Sequence, residues 1–295
     1  MRTRYALGVL VVVGATLTGC GQGQDAAAQP LDVVADDYSF TGVGDTLTGG
    51  AVEITFRNEG KADHELVFID IGDTSFETFS KEFPKVLEGG PFPAYMEAAV
   101  SIGEVGAGKT VEATLTLPKG DYLLFCALDD APGEGEKTLD EPHYELGMRQ
   151  NVSVEGPDTV EITSPGGTFT AKDYTFVPPS DLKAGRDEYL FHNVGPEQWH
   201  FMYLAVFPKG TSVKEAEDAF GKLLQLEEGQ EPPAGVPTPE DVLDTGVQSP
   251  GRGQTFTANF QAGRTYLAAC FIQDRKGGPP HAIGHKMYKA FTVAS

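Results

Sequence analysis

Four kinds of side chain able to bind a soft transition metal occur twice in this chain, in the same order. His64, Cys126, His143 and Met148 are followed by His200, Cys270, His281 and Met287. A thiolate and an imidazole are good ligands for copper, and a thioether adds a weaker third kind. Two His and one Cys in a trigonal set, with a distant Met, make an electron-transfer centre. Such a centre draws one His from an early strand and the other three ligands from a late strand and the loop after it. Taken singly, each residue has a plainer reading. Buried free Cys and Met are common core residues, and a lone His can be a satisfied polar group at a sheet edge. The recurrence of all four in order favours metal.

The elements that must position these residues also recur, as an internal repeat shows. Asp37-Tyr38-Ser39-Phe40 returns as Asp173-Tyr174-Thr175-Phe176, and Phe56-Arg57-Asn58-Glu59-Gly60 as Phe191-His192-Asn193-Val194-Gly195. Tyr122 stands four before Cys126, as Tyr266 stands four before Cys270. Pro142-His143 returns as Pro280-His281. His192 aligns with Arg57 and so falls outside the repeated set.

The local patterns predict strands. Val52, Ile54 and Phe56 alternate with polar neighbours, as do Ala113, Leu115 and Leu117, and again Phe256, Ala258 and Phe260. Period two with one apolar face is a half-buried strand. One helix is expected in each copy, at capping boxes Thr74-x-x-Glu77 and Ser212-x-x-Glu215. Its apolar stripe is Phe76, Phe79 and Phe83 in one copy, and Val213, Ala216 and Phe220 in the other. The reading is all-β: two tandem β-sandwiches, each with one short helical insertion.

On these residues the chain resembles the cupredoxin family (plastocyanin, azurin, rusticyanin), twice over. The telling pieces are Asn58…His64, Gly120-x-Tyr122-x-x-x-Cys126 and His143-x-x-x-x-Met148. The resemblance implies Greek-key sandwiches with a blue-copper site at one end of each. It assigns His64, Cys126, His143 and Met148 to one site, and His200, Cys270, His281 and Met287 to the other. Two departures stand out. Family members have only a few residues between the Cys and the second His, whereas 16 separate Cys126 from His143 and 10 separate Cys270 from His281. In the second copy His285 competes with His281. Lengthening a loop costs little entropy, but a long loop is a poor support for a rigid ligand.

Residues 1–19 read as a signal peptide, with Arg2 and Arg4 before a short apolar run. Leu17-Thr18-Gly19-Cys20 resembles a bacterial lipobox, which implies cleavage before Cys20 and its acylation. Residues 20–30 read as a flexible tether, 31–155 as the first domain and 158–295 as the second, with Val160 and Ile162 starting it. Cys126 and Cys270, one per copy, do not make a disulfide framework. The net charge of −21 disfavours nucleic acid. Nothing matches a nucleophile elbow, a P-loop or a zinc-protease motif, and neither Cys has a flanking His to couple a second centre. The expectation is therefore a non-enzymatic, lipid-anchored extracytoplasmic protein that binds copper and moves electrons or handles copper. It would meet the membrane through its anchor alone, with a redox or envelope protein as partner. The competing reading is a metal-free scaffold of the same fold that binds an envelope component; the long loops favour it, the repeated ligand set favours copper.

Overall fold

A computed structural model describes residues 28–133, 138–157, 161–227 and 230–294. Cys20, the signal segment, nearly all of the expected tether and Val160 lie outside the described residues. In the first copy the strands are β1 (Gln29–Asp36), β2 (Ser39–Thr41), β3 (Thr46–Thr48), β4 (Gly50–Asn58), β5 (His64–Asp70), β6 (Ala99–Val105), β7 (Thr110–Leu117), β8 (Gly120–Phe125) and β9 (Arg149–Glu155). Helix α1 (Phe76–Leu87) lies between β5 and β6. The second copy has β10 (Thr168–Lys172), β11 (Thr175–Val177), β12 (Gly185–Asn193), β13 (Tyr203–Val206), β14 (Asp241–Asp244), β15 (Gly253–Phe260), β16 (Thr265–Ala269) and β17 (Tyr288–Thr292). Its helices are α2 (Val213–Leu223) and α3 (His281–Gly284).

Each copy is a two-layer sandwich. In the first, β2-β1-β4-β7 faces β3-β9-β8-β5-β6, and Val33, Ile54 and Phe56 of one layer meet Leu66, Phe68 and Leu124 of the other in one core. In the second, β11-β10-β12-β15 faces β14-β13-β16-β17, with Phe169, Phe191 and Phe260 against Leu204 and Ala268. Strands β1 and β4 run parallel, as do β10 and β12. The chain therefore crosses repeatedly between layers rather than meandering within one. The ligand-bearing layer is buried on both faces, because α1 covers its outer side in the first copy and α2 in the second. Strand β8 accordingly reads as the unbroken apolar run Tyr122-Leu123-Leu124-Phe125.

Both layers continue from one copy into the other. Strand β7 pairs with β15 at Leu115 and Gln254, which makes one eight-stranded sheet. In the other layer, the Ser101 amide donates to Val247 O at 2.9 Å and the Ser249 amide to Ala99 O at 2.9 Å. The backbones approach so closely here that a Cβ on Gly246 would lie 1.8 Å from Ser101 O.

Four details depart from the sequence reading. Strand β1 begins at Gln29, inside the expected tether. Ile162 belongs to no strand, and the second copy's first strand starts at Thr168, after the Pro165-Gly166-Gly167 break. The cap of α1 is Ser75, whose hydroxyl accepts from the Thr78 amide at 3.3 Å, and not Thr74. Thr74 is taken by a turn, its amide donating to Ile71 O at 3.0 Å, whereas the full box forms at Ser212 and Glu215. Finally, the second copy carries an extra helical turn, α3, led in by Pro280.

Candidate metal centres

Position begins with the Cys. Cys126 follows β8 and Cys270 follows β16, so each thiol leaves a central strand and enters the sandwich core. Both are free and fully buried. His64 opens β5, the neighbour of β8, with its ring in the same core end. His200 precedes β13 in the same way and pairs with Gln248. Each early His is held by a buried Asn that the repeat contained but that carries no metal-binding chemistry. The Asn58 side-chain amide donates to Ala62 O and Val105 O, both at 2.8 Å, and its oxygen accepts from the Gly60 amide at 2.9 Å. Asn193 repeats this, donating to Gln198 O and Gln248 O at 2.8 Å and accepting from the Gly195 amide at 3.0 Å. The following Gly leaves room for the imidazole: a Cβ on Gly60 would stand 2.9 Å from His64 Nε2.

The long Cys–His loops turn out to be closed at a neck. The His143 amide donates to Leu128 O at 2.8 Å and the Tyr144 amide to Cys126 O at 3.0 Å. In the second copy the His281 amide donates to Ile272 O at 2.8 Å and the Ala282 amide to Cys270 O at 2.8 Å. The extra residues, 129–142 and 273–280, are thus excursions outside a short, rigid junction common to both copies. The Met ends match too. The Met148 amide donates to His143 O at 2.9 Å and the Cys126 amide to Met148 O at 3.3 Å. The corresponding distances at Met287 are 3.0 Å to His281 O and 3.2 Å from the Cys270 amide. Helix α3 and Lys286, at φ 54°, absorb the one-residue difference in His–Met spacing. Both Met side chains are fully buried.

The donor atoms converge. Cys126 Sγ lies 3.4 Å from His143 Nδ1 and 4.0 Å from His64 Nδ1, and the two Nδ1 atoms are 3.2 Å apart. In the second copy Cys270 Sγ lies 3.5 Å from His281 Nδ1 and 3.7 Å from His200 Nδ1. A metal bonded at about 2.0 Å to nitrogen and about 2.3 Å to sulfur, in a trigonal plane, would need N–N and N–S separations near 3.5 and 3.7 Å. The three sides of the first triangle and both Sγ–Nδ1 sides of the second lie within about 0.3 Å of those values. His285 stands outside: it stacks on Tyr174 at 3.6 Å, and its Nε2 meets Asp274 Oδ2 at 2.9 Å.

The remaining ring nitrogens prepare this arrangement. His143 Nε2 lies 2.8 Å from the carbonyl of Asp130. A carbonyl only accepts, so Nε2 carries the hydrogen and Nδ1 keeps its lone pair toward the sulfur. In the second copy a carboxylate stands at the outer side, Asp274 Oδ1 lying 3.3 Å from His281 Nε2 without hydrogen-bond geometry. His64 Nε2 has no hydrogen-bond partner; Asp37 Oδ1 is 3.8 Å away, beyond reach. Burial, and then the neighbouring His143, pushes His64 down to about 4. Burial, and then His281, pushes His200 down to about 3, and burial pushes His281 down to about 4. Burial raises both thiols, Cys270 to about 12 and Cys126 further, helped by the Glu65 carboxylate. Burial thus favours the neutral form of both thiols and of His64, His200 and His281. A cation at the centre of each triangle would displace the thiol proton and use every Nδ1 lone pair. The residues present fit copper, a soft and imidazole-seeking metal.

The three side chains that converge in each copy are among those named from the sequence. Asn58 was named there only as part of the resemblance, and Asn193 only as part of the repeat; neither was given a positioning role, and the Asp130 carbonyl and Asp274 were not named. Only the Asn pair had a signal, the repeated Asn-x-Gly.

No protein-family model and no curated protein matches the chain. Among solved structures it is similar to auracyanin from Roseiflexus castenholzii, at 19% identity over 44% of this chain and 99% of that one, TM-score 0.31. Auracyanin A from Chloroflexus aurantiacus, described as a "blue" copper protein, matches at 20% over 44% and 100%, TM-score 0.29. A multicopper oxidase matches at 14% over 90% of this chain and 88% of that one, TM-score 0.25. These neighbours have cupredoxin-like folds. The reading of the site rests on the two clusters of donor atoms.

Proposed function

We propose that this chain binds one copper in each sandwich and works as an electron carrier or copper-handling protein outside the cytoplasm, tethered by lipid at Cys20. The observation that carries the reading is the pair of buried Sγ/Nδ1/Nδ1 triangles, each at the size a trigonal first-row metal needs. Bound copper would supply a one-electron couple. The chain's residues do the rest: the sandwich core excludes water, the necks hold each Cys–His junction, Asp130 O orients the His143 ring, and the Asp274 carboxylate stands behind His281. A site enclosed in this way changes little between oxidation states, which suits electron exchange better than bond making. No helix among the described residues is long and apolar enough to cross a membrane. The test is to add Cu(II) to the purified chain and to its Cys126→Ser and Cys270→Ser variants. The reading expects an intense thiolate-to-copper absorption with two coppers per chain, and one copper fewer in each variant. No such band, or copper bound equally by the double variant, would overturn it.

A further inference from the structure

Between the two copies lies a recess of about 310 Å³ that the copper reading does not use. Its walls include Phe83 and Leu87 of α1, Phe125, Trp199 and Phe271, with Val247 from the segment that joins the copies. Leu87 is left 60% exposed at this surface. One acidic group enters the apolar lining, the Glu65 carboxyl. Its Oε1 accepts from the Ala127 amide at 2.9 Å. Among the described residues it has no cationic partner, and a carboxyl keeps acceptor capacity beyond one hydrogen bond in either protonation state.

We infer that this recess is a binding site for a small, neutral, ring-bearing molecule with a hydroxyl group, of the phenol class. A cavity of about 150 Å³ with an apolar lining is enough to hold a benzene ring, so one substituted ring fits. Aromatic walls favour a flat ring through edge and offset contacts, and sites of this kind are found where domains meet. The hydroxyl donates to Glu65, the acceptor with unused capacity. A cationic ligand is disfavoured because the Arg275 guanidinium already lies over Trp199, 4.5 Å from the ring centroid, and over Phe92 at 5.2 Å. An anion is disfavoured by the apolar lining, where it would lose its hydration. The site does not depend on the metal, so its failure and that of the copper reading are distinguishable.

Trp199 is the chain's single Trp and lines this recess, so in the metal-free chain its fluorescence reads a probe bound there. The experiment titrates the metal-free chain with 4-propylphenol and with propylbenzene while recording that fluorescence. The expected result is a saturable change with 4-propylphenol and binding about fivefold weaker for propylbenzene, from loss of one hydrogen bond. Glu65→Leu should erase the difference between the two probes. Val247→Phe, which fills the recess, should abolish binding, and Leu87→Asp, at an exposed position where folding is not at stake, should weaken it severalfold. No saturable change, equal affinity for the two probes, or binding unaltered by Leu87→Asp would overturn the inference.

Discussion

The neck that joins Cys126 to His143 closes without residues 131–137, and replacing them with Asn-Gly should leave the first centre intact. Asp130 and Thr138 form an antiparallel bridge, and Asn-Gly suits a two-residue turn between paired positions. The segment between Cys126 and His143 falls from 16 residues to 16 − 7 + 2 = 11. With the neck bonds at Leu128 O and Cys126 O retained, the change in loop-closure entropy is about 0.3 kcal/mol in favour of the shortened chain. The Asp130 carbonyl, 2.8 Å from His143 Nε2, also remains. The assay is copper stoichiometry with the thiolate absorption, alongside denaturant unfolding of the metal-free protein. Two coppers per chain and a stability within about 0.5 kcal/mol of the parent are expected. Loss of the Cys126 copper would refute the reasoning, since it would mean that the excursion, and not the neck, builds the site.

Three further outcomes follow from the same geometry. Asn58→Ala removes three buried hydrogen bonds and should cost about 3 kcal/mol, read as a fall in the denaturant midpoint; Asn193→Ala should behave alike. Asp274→Asn weakens the carboxylate behind His281 and should lower copper affinity at the second site by about 10- to 100-fold, measured by competition with a chelator, with the first site unchanged. In Cys126→Ser, copper affinity at the remaining site should rise about tenfold per pH unit between about pH 5 and 8. The sign follows from the groups involved. Burial keeps His200 and His281 neutral down to about 3 and 4, and holds the Cys270 thiol protonated up to about 12. Across that range the thiol proton is the one the metal must expel, so falling pH opposes binding. A flat profile would show that Cys270 is not a ligand.

Much of the fold was legible because the chain states it twice. Alternation at Val52, Ile54 and Phe56 and its counterparts marked the strands, and the matched order of His, Cys, His and Met marked the centres. What the sequence hid was the closing of chain by backbone alone. The necks at Leu128 O–His143 N and Ile272 O–His281 N use no side chain, so the loops looked too long to support a ligand. The choice between His281 and His285 was hidden for a similar reason: it depends on where the turn of α3 starts, after Pro280. The cap of α1 moved to Ser75 because the preceding turn already engages Thr74. The junction between the copies was equally silent, since Gly246 and Ser101 meet through backbone and lie far apart in the chain. Even the excursion after Cys270 has a structural role there, its Gly278 amide donating to Gly89 O at 2.9 Å beside α1.

X-ray absorption at the copper edge of the loaded chain tests the central claim most directly, because it reads the ligand atoms themselves. The account predicts one sulfur at about 2.3 Å or less and two imidazole nitrogens at about 2.0 Å for each copper, with the one copper left in Cys126→Ser or Cys270→Ser keeping its short sulfur. Copper surrounded by nitrogen and oxygen alone, with no short sulfur, would contradict it.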